Sequence, residues 1–316
     1  MHKFSLSILL ILFLTSCISI PLPKAQPYNE IVIKKGKTRD KIVVINIEGP
    51  IFAQRKTSVF GSDVETSVIS QIKEQLDLIE QDKYVKAVIL RLNTPGGSVT
   101  TCDIIYNELM EFKKRTSIPI IAEMADMAAS GGVYISQAAD KIIAHPTTVT
   151  GSIGVIAFTL NLKELFDKLG VKGEAVKSGD KKDMGSIFRP MTPAEKDIYQ
   201  DVINSMYERF LTVIKTGRKN INEKKLREIA DGRIFVAQKA LEYGLIDTIG
   251  YTKDTIELTE REAGISEATI ITYVRPGRYT PNIYANVQNN SITVLNIDTD
   301  FFMQKHGACF MYMWQP

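Results

Sequence analysis

Histidine is scarce in this chain, and the scarcity narrows its chemistry. Only His2, His145 and His306 occur in 316 residues. His2 lies in an apolar leader and His306 in an irregular tail. His145 stands in Ala-His-Pro at a strand end, where a structural role fits. A Ser-His-Asp triad therefore has no well-placed histidine to draw on. Cysteine is equally rare: Cys17, Cys102 and Cys309 are too few for a disulfide framework. Cys102 and Cys309 could pair in an oxidising compartment; otherwise Cys102, at the start of a buried helix, is a free core thiol. No cluster of His, Cys and carboxylates has ligand spacing, so neither a metal nor a cofactor is expected. Net charge is only +3 and no basic run stands out, which gives no reason to expect a nucleic-acid partner. No apolar run reaches the roughly twenty residues of a membrane-spanning helix. There is no internal repeat and no low-complexity tract.

What is present is ordinary globular composition, 44% hydrophobic and 24% charged. Residues 1–17 read as a leader: Lys3, an apolar run from Phe4 to Leu14, then Leu14-Thr15-Ser16-Cys17. That tetrapeptide resembles a bacterial lipobox, in which the cysteine is acylated and becomes the mature N-terminus. A plain signal peptide or a short signal anchor is the alternative. Lipidated Cys17 would hold the protein on a membrane by acyl chains, outside the cytoplasm, on the cell membrane or an outer membrane. Ile18 in place of aspartate carries no inner-membrane retention signal. Residues 18–40, with Pro21, Pro23 and Pro27, read as a tether.

From Lys41 the chain alternates strand and helix. Lys41–Ile47 and Ala87–Leu92 are β-branched strand patterns; Val64–Gln81 and residues 101–114 keep helical spacing. This is the mark of βαβ units around a mostly parallel sheet, in one α/β domain over 41–264. Glu174–Lys177 reads as a further strand. Residues 178–190 have no periodicity and are either solvated loop or ordered site. Thr192-Pro-Ala-Glu195 is a helix start with a capping box, followed by a core-facing stripe of Ile198, Val202, Met206, Phe210 and Val213. Residues 265–316 form a C-terminal extension. Its stretch 274–290 is expected to be mobile, and Val294–Ile297 and Cys309–Trp314 are apolar enough for terminal strands or docking segments.

The centre of the chain is Pro119-Ile-Ile-Ala-Glu-Met…Ala129-Ser130-Gly131-Gly132-Val-Tyr134. A buried strand breaks into a helix at Ser-Gly-Gly. Such a turn exposes a hydroxyl, lets a substrate backbone approach the glycines, and offers N–H groups to an oxyanion. Serine is also a favoured helix N-cap, so Ser130 is either a nucleophile or a cap. With no suitable histidine, the base available to such a serine is lysine.

Five motifs stand in order: Asn93-Thr-Pro-Gly-Gly-Ser, Met127-Ala-Ala-Ser-Gly-Gly-Val-Tyr, Thr150-Gly-Ser-Ile-Gly-Val, Lys177-Ser-Gly-Asp-Lys-Lys-Asp and Asp231-Gly-Arg-Ile-Phe. Together they resemble the signal peptide peptidase A family of membrane-bound serine peptidases, in its short, single-unit form, over about residues 40–260. The resemblance implies a Clp protease/crotonase-like fold of repeated ββα units. It implies Ser130 as nucleophile, Lys182 as general base and Ser152 as the hydroxyl that orients the lysine. Gly97 and Gly131 would be the oxyanion donors. Motif alignment favours Lys182, with its neighbour Lys181 as the alternative. A lysine base must be neutral to accept a proton, whereas free lysine, with a pKa of ~10.4, is a cation at neutral pH. Such a base therefore needs burial or nearby positive charge. The resemblance also implies a ring-like homo-oligomer, the serine of one subunit being served by the lysine of the next. The substrates implied are signal-peptide remnants and other small or unfolded peptides. A cleft lined by Gly96, Gly97, Ala128 and Ala129 would suit slim side chains and an extended strand. Two other classes share the fold signal: a surface lipoprotein that has lost catalysis and acts by binding, and an acyl-CoA enzyme of crotonase type, against which the export signal argues.

Overall fold

β-branched sequence runs build the centre of the molecule. The computed structural model describes residues 27–53, 67–275 and 309–314. In it Lys41–Glu48 (β2), Val85–Thr94 (β3), Ile120–Ala129 (β5) and Lys141–Ala144 (β6) pair in parallel. These strands are nearly continuous in hydrophobic residues because both sheet faces are covered. Val43, Ile45 and Ile47 join the large core with two helices, Val68–Gln81 (α1) and Val99–Thr116 (α2). Ile42 and Val44 face the other way, against Ile256 of helix Thr252–Ala263 (α8). The mostly parallel α/β sheet expected from the alternation is thus the observed one.

The sheet extends past the expected domain limits at both ends. Asn29–Lys34 (β1), read as tether, pairs antiparallel with Thr269–Val274 (β11), which in turn pairs in parallel with β2. The tether reading failed there because β1 is a short edge strand whose partner lies more than 200 residues away in sequence, beyond any local signal. The leader, Cys17, Pro21, Pro23, residues 276–308, His2 and His306 lie outside the described residues.

Between Ile156–Phe158 (β8) and Pro193–Gly217 (α5) the chain leaves the core. Helix Lys163–Lys168 (α4) buries no residue, and residues 171–180 are all exposed. The strand expected at Glu174–Lys177 is absent: the segment joins no sheet, and Val176 is fully exposed. α5 begins at the expected capping box, Thr192 and Glu195 each bonding the other's backbone N–H. Its apolar stripe reaches the core only in the second half, at Phe210 and Val213; Ile198 is exposed. Residues 159–192 and the first turns of α5 therefore form an arm, and Lys181 and Lys182 ride on it.

Candidate active site

Strand β5 ends at Ala129, and Ser130 carries the chain into the short helix Gly131–Ser136 (α3) with φ 51° and ψ −106°. This is the mirror image of an extended backbone, which an L-residue adopts only under strain. Ser130 is 1% exposed, and its Oγ has no hydrogen-bond partner among the described residues. It stands at the N-cap position but caps nothing. The cap alternative therefore fails, and a strained serine with an unengaged hydroxyl remains.

The Asn93 motif places a second strand beside this turn. Thr94 Oγ1 donates to the Gly49 carbonyl at 2.7 Å and accepts from Gly96 N at 3.0 Å. Gly96–Ser98 (β4) is held by Ile51 N to Gly96 O and Ser98 N to Ile51 O, each 2.9 Å. A Cβ on Gly97 would stand 2.0 Å from the Ile51 carbonyl oxygen, so only glycine fits. Gly96, at φ +99°, lies against the turn: a Cβ there would be 2.7 Å from Gly131 N and 1.9 Å from the Tyr312 carbonyl oxygen. The two expected oxyanion donors, Gly97 and Gly131, thus flank the same small space.

A strand of the chain itself occupies that space. Cys309–Met313 (β12) runs antiparallel to β4 on one side and to β8 on the other, with Tyr312 opposite Gly97. Trp314 N continues the ladder to Pro95 O at 2.8 Å. The Tyr312 side chain is fully buried. Its ring stacks on Tyr134 at 4.9 Å and tilts against Phe210 at 4.6 Å, and its hydroxyl donates to the Met206 carbonyl at 2.8 Å. Tyr134 donates to Asp103 at 2.5 Å, and Arg209 donates to the same oxygen at 2.9 Å, tying α2, α3 and α5 together. Burial pushes both phenols, Tyr134 and Tyr312, far above their ordinary range. The edge expected to pair with an extended substrate is paired here with the chain's own β12. Ala128 and Ala129, expected to line a slim cleft, are fully buried in the core, and Tyr312 of β12 fills an aromatic, tyrosine-sized pocket. Tyr134, Met206 and Phe210 contact Tyr312 and Asp103 holds Tyr134; none was a site candidate from the sequence, where only the placement of Tyr134 one helical turn after Ser130 stood out.

Ser152 follows Val149–Gly151 (β7), which pairs with the end of β5. Ser130 N donates to Gly151 O at 2.8 Å, so the two serines are neighbours, and Ser152 also has φ 51°. The Asp231 motif braces this strand: Ile234–Val236 (β9) pairs with β7, and Ser152 N donates to Arg233 O at 2.7 Å.

Among the described residues no hydrogen bond joins Lys182, which is exposed, to the buried Ser130. Lys181 and Lys182 are both exposed, and neither ammonium has a hydrogen bond or ion pair among the described residues. Lys177 is engaged, donating to Asp183 at 2.6 Å. Cys102 is a free, fully buried thiol whose pKa is raised by burial. His145 is structural: its Nε2 lies 3.1 Å from Glu123, which also accepts from Arg91 and Thr252. No group of three or more metal-ligating residues occurs among the described residues, and no helix there is long and apolar enough to cross a membrane.

Comparison with known proteins gives the same grouping. The sequence profile of peptidase family S49 matches residues 112–266, and that of Clp protease matches residues 40–150. A putative signal peptide peptidase SppA of Enterococcus faecium is 37% identical, over 77% of this chain and 70% of its own. A putative protease of Synechocystis is 36% identical, over 73% of this chain and 77% of its own. Protease 4 of Haemophilus influenzae is 35% identical over 70% of this chain and 35% of its own. With the Enterococcus and Synechocystis relatives aligned over most of both lengths, the chain belongs to peptidase family S49.

Proposed function

We propose that the protein is a membrane-anchored serine endopeptidase that cuts extended peptides outside the cytoplasm, with Ser130 as nucleophile and Lys182 as base. The supporting observation is the strand seated against the serine. Its Tyr312 carbonyl faces Gly97 and Gly131, where a carbonyl awaiting attack would lie. In the reaction Ser130 Oγ attacks the substrate carbonyl carbon and its proton passes to a neutral lysine Nζ. The N–H groups of Gly97 and Gly131 hold the oxyanion. The lysinium returns the proton to the leaving amine, and water then cleaves the acyl-enzyme. Ser152, beside Ser130, orients the lysine.

Among the described residues the chain gives Lys182 neither burial nor a partner. A second copy closing over the arm would supply both. The arm's exposed apolar residues Leu165, Leu169, Val171 and Phe188 favour such contact; Leu169 is 66% exposed. A homo-oligomer with sites shared between neighbours follows. The tyrosine-sized pocket favours a bulky aromatic residue before the cut. Acylated Cys17 would anchor the enzyme, and membrane-lodged signal-peptide remnants fit both anchor and cleft.

The test is peptide cleavage by the chain from Ile18 onward, comparing wild type, Ser130→Ala, Lys182→Ala and a mixture of the two variants. Cleavage by wild type, two dead variants and partial recovery in the mixture are expected. Full activity of Lys182→Ala would overturn the base assignment. A mixture that stays dead after proven subunit exchange would overturn sharing. No cleavage by wild type across a broad peptide set would leave the binding lipoprotein in its place.

A further inference from the structure

The arm has almost no hydrophobic core, yet a catalytic lysine needs a fixed position. A charge network crosses the arm at the residue next to Lys182. Arg189 grips Asp183 with two bonds, Nε to Oδ2 at 2.9 Å and Nη2 to Oδ1 at 2.7 Å. The same guanidinium grips Glu195 with two more, Nη2 to Oε1 at 2.6 Å and Nη1 to Oε2 at 2.9 Å. Glu195 is 1% exposed and also accepts from Thr192 N at 2.8 Å, so it is locked into the first turn of α5. Lys177 adds a third cation contact at Asp183. The Arg189 bonds hold the carboxyl of Asp183 far below the usual carboxylate range and that of Glu195 down to about 2. Further along, α5 walls the tyrosine pocket through Met206 and Phe210.

We propose that Arg189 is a positioning residue for the base: it ties Asp183, and with it Lys182, to the helix that walls the substrate pocket. This rests on the Ser130/Lys182 reading above. Exposed single ion pairs hold little, but one planar guanidinium forked between two carboxylates, one of them buried, fixes both distance and angle. Lysine cannot reproduce that fork. Arg189 touches neither substrate nor nucleophile; it sets where the lysine segment starts.

The test uses the full chain in detergent with Arg189→Met and Arg189→Lys. A misplaced base predicts a fall in kcat of about 10- to 100-fold with KM within twofold. A less buried lysine is harder to neutralise, so the rising limb of kcat moves to higher pH. Arg189→Lys recovers only part of the rate. Mixing adds a readout that general destabilisation would not give. Arg189→Met subunits keep intact serines, so Ser130→Ala subunits, which keep intact lysine segments, restore their activity. Lys182→Ala subunits do not. Wild-type kcat and pH profile in Arg189→Met, or equal rescue by both partners, overturns the proposal. If Arg189→Met fails to assemble, Asp183→Asn carries the same measurements, since it weakens the link to Lys182 while leaving Arg189 on Glu195. The two readings fail separately. A fully active Lys182→Ala removes the base and this role together, whereas an unaffected Arg189→Met removes this role alone. If no mixture of variants recovers activity, the pH profile decides.

Discussion

Ser130 and Lys182 sit in surroundings that differ in almost every respect. Around the serine, residues 128–139 are buried without a break, and backbone from β4, β5 and β7 converges on one turn. Around the lysine, residues 171–182 are all exposed, no strand forms, and order comes from turns and ion pairs. The proposed nucleophile is held rigid, in strain, by a finished core. The proposed base is carried on a surface that the described residues leave uncovered. On the proposed reading, a dyad of such unequal halves is completed only when something closes over the second half.

The largest effect that would break this contrast is at Ser130 itself. Ser130→Gly removes the hydroxyl and lowers kcat on the order of 10⁴-fold or more. It also places glycine where the backbone requires its freedom, so unfolding free energy rises by about 1 kcal/mol, read as a higher Tm. Lys182→Gly, by contrast, leaves the stability of the single chain within about 0.5 kcal/mol. A fall in Tm for Ser130→Gly would mean the turn is not strained.

Next comes a paired glycine experiment. Gly97→Ala drives a methyl into the Ile51 carbonyl and displaces an oxyanion donor, so kcat/KM falls by about 10²- to 10³-fold. Gly179→Ala, in the lysine segment, meets nothing within 4 Å and leaves unfolding unchanged. Thermal melts and peptide kinetics on both variants check the pair; equal damage would erase the distinction between the halves.

A smaller effect separates the halves by pH. Glu123, fully buried under the serine half, would be raised by burial, but His145, Arg91 and Thr252 hold it down to about 2 from 4.5. A carboxyl with a depressed folded pKa stabilises fully above its unfolded value and loses that contribution as pH falls through the folded one. About 3 kcal/mol should therefore drain between about pH 4.5 and 2. Denaturant melts across that window check it, and Glu123→Gln should flatten the slope there.

Much of the serine half was legible because its signals are local. The strand patterns of β2, β3 and β5, the Ser-Gly-Gly turn and the glycines of β4 each announce themselves within a few residues. The capping box at Thr192 is local too. What escaped depends on distant partners. β1 looked like tether because NEIVIK is short and charged and its sheet partner is β11. Glu174–Lys177 has strand composition but meets no edge to pair with. The pocket draws Tyr134 from α3 and Met206 from α5 onto a strand from the end of the chain, a meeting that no periodicity foretells. Arg189 lies in the aperiodic stretch 178–190, and its meaning lies in the two carboxylates it joins.

The position of β12 between β4 and β8 has a consequence for what the enzyme can admit. Neighbouring strands lie about 4.8 Å apart, so two strands flanking a third leave a slot about 10 Å wide. A single extended backbone fits; a helix with its side chains, about 10–12 Å across, or a folded domain does not. Both walls read main-chain amides, which every sequence carries. On the proposed activity the slot would work as a gauge of unfoldedness: it would sort polypeptides by whether they have lost their structure before the pocket consults a single side chain.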